Sequence, residues 1–173
     1  TVKRVHPNKL RLMTGTESHQ GVAAFASEIE YVTVDDLMAA AKDKGEAPFL
    51  VLSDGIEDPH NLGAIIRTAN QAGAHGVIIP KRRAVGLTPT VARTSAGAVN
   101  YVPVAKVTNI SNTMKELKDR GMWFVCADMD GTLMYDMDLT GPIGLVIGNE
   151  GDGVSPLVKK NCCLCQDKNP GWP

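Results

Sequence analysis

No apolar run in this chain approaches the roughly 20 residues of a membrane span, and no charged-then-apolar leader opens it. A cytoplasmic protein is the expectation. Aromatic residues make up only 5% of the chain, and 18 Lys and Arg against 19 Asp and Glu leave a net charge of -1. That balance excludes a protein that coats nucleic acid by bulk electrostatics, so any such contact must be a local basic patch. Cysteine is scarce and badly spaced for cross-linking: Cys162, Cys163 and Cys165 crowd together while Cys126 stands alone in an apolar run. Reduced thiols follow. Zinc would want a second ligand pair beside Cys162-Cys-Leu-Cys165, and none is offered, so no metal is expected.

What is present is enough for one core. With 173 residues, 43% of them hydrophobic, the chain supports one compact α/β domain and is too short for two large ones. Residues 1–20 are polar and basic with little periodicity and read as a linker entering a domain over 21–173. Val22 to Phe25 is a possible short strand, and Asp35 or Asp36 can cap a helix that runs to about Lys44 and ends at Gly45. Phe49 to Leu52 is wholly apolar, as a parallel strand buried on both faces should be. From Asn61, a candidate N-cap, Leu62, Ile65, Ile66, Ala69 and Ala72 recur at helical steps until Gly73. Val77 to Ile79 completes a βαβ unit.

The alternation then repeats. Thr88-Pro89 opens a helix, Tyr101 to Val104 is a strand, Asn109 to Arg120 a helix, Met122 to Ala127 a strand and Ile143 to Ile147 the last clear one. Ser155-Pro156 starts a short helix, and Asn161 to Pro173 has no readable period. The fold class is therefore α/β, a parallel sheet with helices on both faces.

Ligands of open parallel sheets sit beyond the carboxyl ends of the strands, which directs attention to residues 53–61, 80–88, 128–142 and 148–155. Gly148-Asn-Glu-Gly-Asp-Gly153 is neither a dinucleotide fingerprint nor a phosphate-binding P-loop, and alone could be a tight turn. Glu150 between its glycines calls for a cationic or amide partner if buried. Arg67 shares a helix face with Gly63 and Asn70, small or polar neighbours that leave room for RNA phosphate or ribose, although a solvated arginine would look the same. Lys81-Arg82-Arg83 is the only dense cationic cluster and, with Arg93, is the natural local patch for an RNA backbone. Asp128-Met-Asp-Gly-Thr132 matches the signature of haloacid-dehalogenase-type phosphatases, whose first Asp is a nucleophile. That family needs the signature on its first strand and a lysine and acidic pair well downstream, for which residues 134–173 leave no room. A turn using Asp, Gly and Thr is the plain alternative.

Two longer segments, Asp58-Pro-His-Asn-Leu-Gly-Ala-Ile-Ile-Arg-Thr-Ala69 and Leu145-Val-Ile-Gly-Asn-Glu-Gly-Asp-Gly-Val154, resemble two motifs of the SpoU family of SPOUT RNA methyltransferases. His19-Gln-Gly-Val22, Thr94-Ser-Ala-Gly-Ala98 and Ala127-Asp-Met-Asp-Gly131 are similar to the branch that methylates guanosine ribose in large-subunit ribosomal RNA. The resemblance implies an α/β knot, in which the C-terminal segment threads a loop, and S-adenosylmethionine (AdoMet) as cofactor. It implies catalytic roles for Asn61, Arg67 and Glu150, and cofactor contacts at Ala127, Ile147, Gly148 and Gly151. It further implies a homodimer and an RNA substrate, with residues 1–20 as the linker from an RNA-binding domain. A non-catalytic RNA-binding remnant of the fold is the competing reading. The family's third motif should follow Leu164. The chain instead reads Cys165-Gln-Asp-Lys-Asn-Pro-Gly-Trp-Pro173, so weakened cofactor binding is expected.

Overall fold

A computed structural model describes residues 2–24 and 29–166. In chain order its elements are α1 (Pro7–Thr14), α2 (Val34–Lys44), β1 (Phe49–Asp54), α3 (Pro59–Gln71), β2 (Gly76–Pro80), α4 (Pro89–Thr94), β3 (Val104–Val107), α5 (Ile110–Asp119), β4 (Trp123–Leu133), β5 (Ile143–Gly148), α6 (Pro156–Lys159) and β6 (Cys163–Gln166). All six strands are parallel neighbours in the order β3-β2-β1-β5-β4-β6. Each face of the sheet builds its own core. Leu50, Leu52, Ile78, Phe124 and Val146 meet α2, α5 and α6 through Leu37, Met114, Leu117 and Val158. Val51, Val77 and Ile79 point the other way, onto Leu62, Ile66 and Ala69 of α3 and Val91 of α4. The two-residue alternation of the strands thus feeds two helix layers, as the apolar runs predict. No helix among the described residues is long and apolar enough to cross a membrane.

Several boundaries differ from the sequence reading, each for a local reason. Residues 7–14, expected as unpatterned linker, form α1, with Pro7 at its first position and Gly15 ending it at φ +65. Residues 22–24 form no strand, and Phe25 lies outside the described residues. Thr33, not Asp35 or Asp36, caps α2: its hydroxyl accepts from Asp36 N while the Asp36 carboxylate accepts from Thr33 N at 2.8 Å, a reciprocal capping box. Those Thr33 hydrogen bonds hold the Asp36 carboxyl below its usual range. Asp58, not Asn61, caps α3 by accepting from His60 N at 2.9 Å, and Asn61 is the helix's third residue. The third strand begins at Val104 rather than Tyr101 because Pro103 has no N–H to give the ladder.

At the other edge β4 runs to Leu133, past the expected Ala127. Ala127 and Thr132 both pair with Cys165, so residues 128–131 are looped out of the ladder. Their partner strand, β6, carries no periodic signal in its four residues, Cys-Leu-Cys-Gln. The residues expected to complete the threading, beyond Gln166, lie outside the described residues. Cys126, Cys162 and Cys163 form no disulfide among the described residues, and burial, reinforced by neighbouring Cys126, pushes the Cys162 thiol far above the ordinary thiol range.

Candidate active site

The strand order reverses direction at β1, whose neighbours are β2 on one side and β5 on the other. Such a switch point opens a crevice at the carboxyl ends of the two central strands, because their outgoing loops leave toward opposite sides. The loop after β1 and the loop after β5 meet there. Asn149 Nδ2 donates to Gly55 O at 2.9 Å, and Ser155 N donates to Asp54 Oδ2 at 2.8 Å, joining segments about a hundred residues apart in sequence. Asn149 also braces its own loop: its Oδ1 accepts from Gly151 N at 2.8 Å, and its backbone exchanges two hydrogen bonds with Gly153, at 3.0 and 2.8 Å. The glycine loop is therefore a closed hairpin fastened to β1.

Gly148 is required by that closure. A Cβ on it would lie 2.2 Å from Gly153 C, 2.3 Å from Val154 N and 2.4 Å from Gly153 O, all backbone atoms that no rotamer change can move. Glu150 projects from the hairpin into solvent, so its carboxylate stays hydrated. The sequence argument that it needs a partner to offset burial does not hold, since it is not buried.

Arg67 is also exposed, on α3, and among the described residues no hydrogen bond or ion pair links it to Glu150 or Asn61. Asn61 is half-buried in the first turn of the same helix. Gly63 is small for a reason other than the one the sequence suggested. A Cβ there would meet Thr94 Oγ1 at 1.9 Å and Ser95 N at 3.0 Å, so its missing side chain admits α4 rather than RNA. Thr94 Oγ1 in turn donates to Thr90 O at 2.9 Å within α4.

The basic residues are divided between the two helix layers. Arg67 and Arg93 are exposed on the packed pair α3 and α4. Lys81, Arg82 and Arg83 are exposed beyond β2, and Arg82 and Arg83 line a cleft of about 410 Å³ whose other walls include α5 and α6 residues and neither Arg67 nor Arg93.

Ala127 and Ile147 each lie one residue past the last registered pair of β4 and β5, Cys126 and Val146, and Gly148 and Gly151 follow on the hairpin. These four sites are apolar or bare backbone beside a looped-out stretch of β4. That donor set suits a neutral adenine and a sulfonium: it brings no cationic side chain against the sulfonium, and it leaves amide and carbonyl groups to meet the base edge. The phosphatase signature falls on β4, the fourth strand, and not the first strand that such a mechanism uses. The sequence reading missed Asp54, Gly55, Asn149 and Ser155, which fasten the site together. A usable signal was the Asp-Gly turn at the end of β1, the matching counterpart of an Asn wedged between Gly148 and Glu150.

A parallel α/β sheet with two motif-bearing loops locked at its switch point defines the class of an α/β-knot methyltransferase. The comparisons carry this to a family. The model of the SpoU rRNA Methylase family matches residues 48–166, and the chain belongs to that family. YacO of Bacillus subtilis, assigned by name to the TrmH family of tRNA/rRNA methyltransferases, is 50% identical over 163 residues, 94% of this chain and 65% of its own length. A Synechocystis protein named as a tRNA/rRNA methyltransferase is 44% identical over 93% of this chain and 42% of its own. The chain thus spans two thirds or less of these relatives. Among solved structures, the SpoU methyltransferase AviRb of Streptomyces viridochromogenes, in complex with its cofactor AdoMet, is 31% identical with a TM-score of 0.64, covering 70% of this chain and 49% of that one. An AdoMet-bound rRNA methyltransferase of Sinorhizobium meliloti is 27% identical with a TM-score of 0.61, covering 70% and 47%.

Proposed function

We propose that this chain is the catalytic domain of an AdoMet-dependent methyltransferase acting on a ribose 2′-hydroxyl of RNA, with guanosine in large-subunit ribosomal RNA as the substrate. The observation that carries the reading is the fastening of the two motif loops at the switch point through Asn149–Gly55 and Ser155–Asp54. Family membership and AdoMet in related structures support it. Residues 1–20 serve as linker from an RNA-binding domain, the protein works as a cytoplasmic homodimer, and Lys81, Arg82, Arg83 and Arg93 meet the RNA backbone.

AdoMet supplies an electrophilic methyl on sulfur; Ala127, Ile147, Gly148 and Gly151 would hold it. The rest falls to the chain's own side chains. A ribose hydroxyl is a weak nucleophile at neutral pH, so it must be oriented and its departing proton eased. Arg67 is a permanent cation free to meet the developing alkoxide and the adjoining phosphate, and Asn61 and Glu150 position it and the ribose once RNA is bound. A non-catalytic RNA-binding remnant would keep the loops without binding cofactor.

Residues 165–173 carry no counterpart of the family's third motif. Each missing backbone contact, at roughly 1 kcal/mol, costs about fivefold in affinity. AdoMet should therefore bind this chain at least about tenfold more weakly than the same chain given a family-like third motif after Leu164. Calorimetric titration of the two decides it. Equal micromolar affinity would show the motif dispensable, and no binding by either would favour the remnant.

A further inference from the structure

We infer that the cleft at the carboxyl ends of β1, β2 and β3 is a phosphate-centred subsite that seats one unstacked nucleotide of the RNA, apart from the reacting ribose. This deepens the reading of the protein as an RNA methyltransferase and rests on it. The cleft's volume, about 410 Å³, falls within the roughly 300–1,000 Å³ of ligand pockets. It lies beside the topological switch point, where open α/β sheets take their ligands.

Three groups of donors are among its lining. Arg82 and Arg83 are exposed there without an ion pair among the described residues, and Arg83 holds a left-handed backbone at φ +54, uncommon for a side chain of its size. Ser111 lines the cleft although only 2% exposed. Its Oγ accepts from Asn161 Nδ2 at 3.1 Å, which leaves the hydroxyl proton without an acceptor among the described residues. That proton is available to an acceptor in the cleft. Ile110 and Ser111 are the first two residues of the ten-residue helix α5, whose Asn109 cap accepts from Asn112 N at 3.0 Å, so the first two amides stay open to an anion. Two guanidiniums, a buried hydroxyl and two helix-terminal amides in one lining suit a phosphate monoanion or dianion.

The lining also carries carboxylates. Asp152 and Glu57 are exposed carboxylates, and Asp54 already accepts from Ser155 N. They repel a second phosphate and accept from ribose hydroxyls or the amino edge of a base. A lining that mixes both charges suits a single nucleotide, its phosphate on the donors, rather than a run of phosphates. Single-stranded RNA, whose bases can be splayed out, presents such a unit.

The test follows the backbone amides of Ile110 and Ser111 by NMR in the full chain without cofactor, titrated separately with inorganic phosphate, guanosine 5′-monophosphate and an eight-nucleotide single-stranded RNA. Both amides should move with the nucleotide and the RNA, at concentrations at least fivefold lower than with phosphate alone. Arg82→Ala combined with Arg83→Ala should weaken RNA binding at least tenfold at an unchanged melting temperature, and Ser111→Ala should weaken it severalfold. Equal response to phosphate and nucleotide would make the cleft a free-phosphate site and overturn the nucleotide assignment. Unmoved amides, or wild-type RNA affinity in the arginine variant, would overturn the inference entirely. Because no methyl transfer is read, failure of the catalytic reading is seen separately, as absent transfer with these shifts intact.

Discussion

Replacing Arg67 with alanine, in the protein carrying a complete third motif, should slow methyl transfer to RNA by roughly 10²-fold or more while leaving the fold unchanged. The two halves of this expectation have separate physical grounds. Arg67 is exposed on α3 and its side chain makes no ion pair or hydrogen bond among the described residues, so its loss removes nothing that holds the helix, and stability should stay within about 0.5 kcal/mol. On the proposed reading its charge acts in the transition state, where negative charge gathers on the ribose oxygen beside a phosphate. AdoMet affinity should not change. Lysine at the same place should restore only part of the rate, since it lacks the planar fork that spans alkoxide and phosphate. Single-turnover transfer with saturating RNA gives the answer; a near wild-type rate in the alanine variant would reduce Arg67 to a solvated helix residue.

Gly148→Ala should have the largest structural effect of any single methyl group at the site. The added carbon would sit 2.2–2.4 Å from three backbone atoms of Gly153 and Val154, and only displacement of the hairpin can relieve that. Displacement breaks the Asn149–Gly153 pair and pulls Asn149 away from Gly55, so the junction of the two motif loops opens. Overpacking of this kind costs about 1–3 kcal/mol, which for a domain of this size lowers the melting temperature by roughly 2–12 °C. AdoMet affinity should fall at least tenfold. Thermal melts and calorimetric titration measure both. A variant that melts and binds like the parent would mean that the hairpin is free to shift and does not shape the pocket.

The buried strands were legible because a strand covered on both faces must be apolar throughout. Phe49 to Leu52, Val77 to Ile79 and Ile143 to Ile147 announce themselves in that way. β6 did not, because an edge strand of four residues needs no continuous apolar run. Helix starts were misplaced wherever two polar residues competed for the cap. Asp58 takes α3 from Asn61 because Pro59 already fits the first helical position, and Thr33 takes α2 because Asp36 can answer it from the third. At the site, the motif residues could be named from their resemblance, but the contacts that unite them could not. Asn149 and Gly55 are 94 positions apart, and only the strand order brings them together. Gly63 shows the converse error: a small residue beside Arg67 looked like space for a ligand, whereas it is space for Thr94.

The most direct test of the account is the chemical position of the transferred methyl. Ribosomal RNA is incubated with the protein and methyl-labelled AdoMet, then hydrolysed in alkali, which cleaves only where a free 2′-hydroxyl can attack the adjoining phosphate. A methyl on that oxygen blocks cleavage. The account predicts label in alkali-stable dinucleotides, and none there with Arg67→Ala. Label in mononucleotides would place the methyl on a base, and label in protein or a small molecule would place the chemistry in another class; either result would contradict the ribose 2′-hydroxyl as the acceptor.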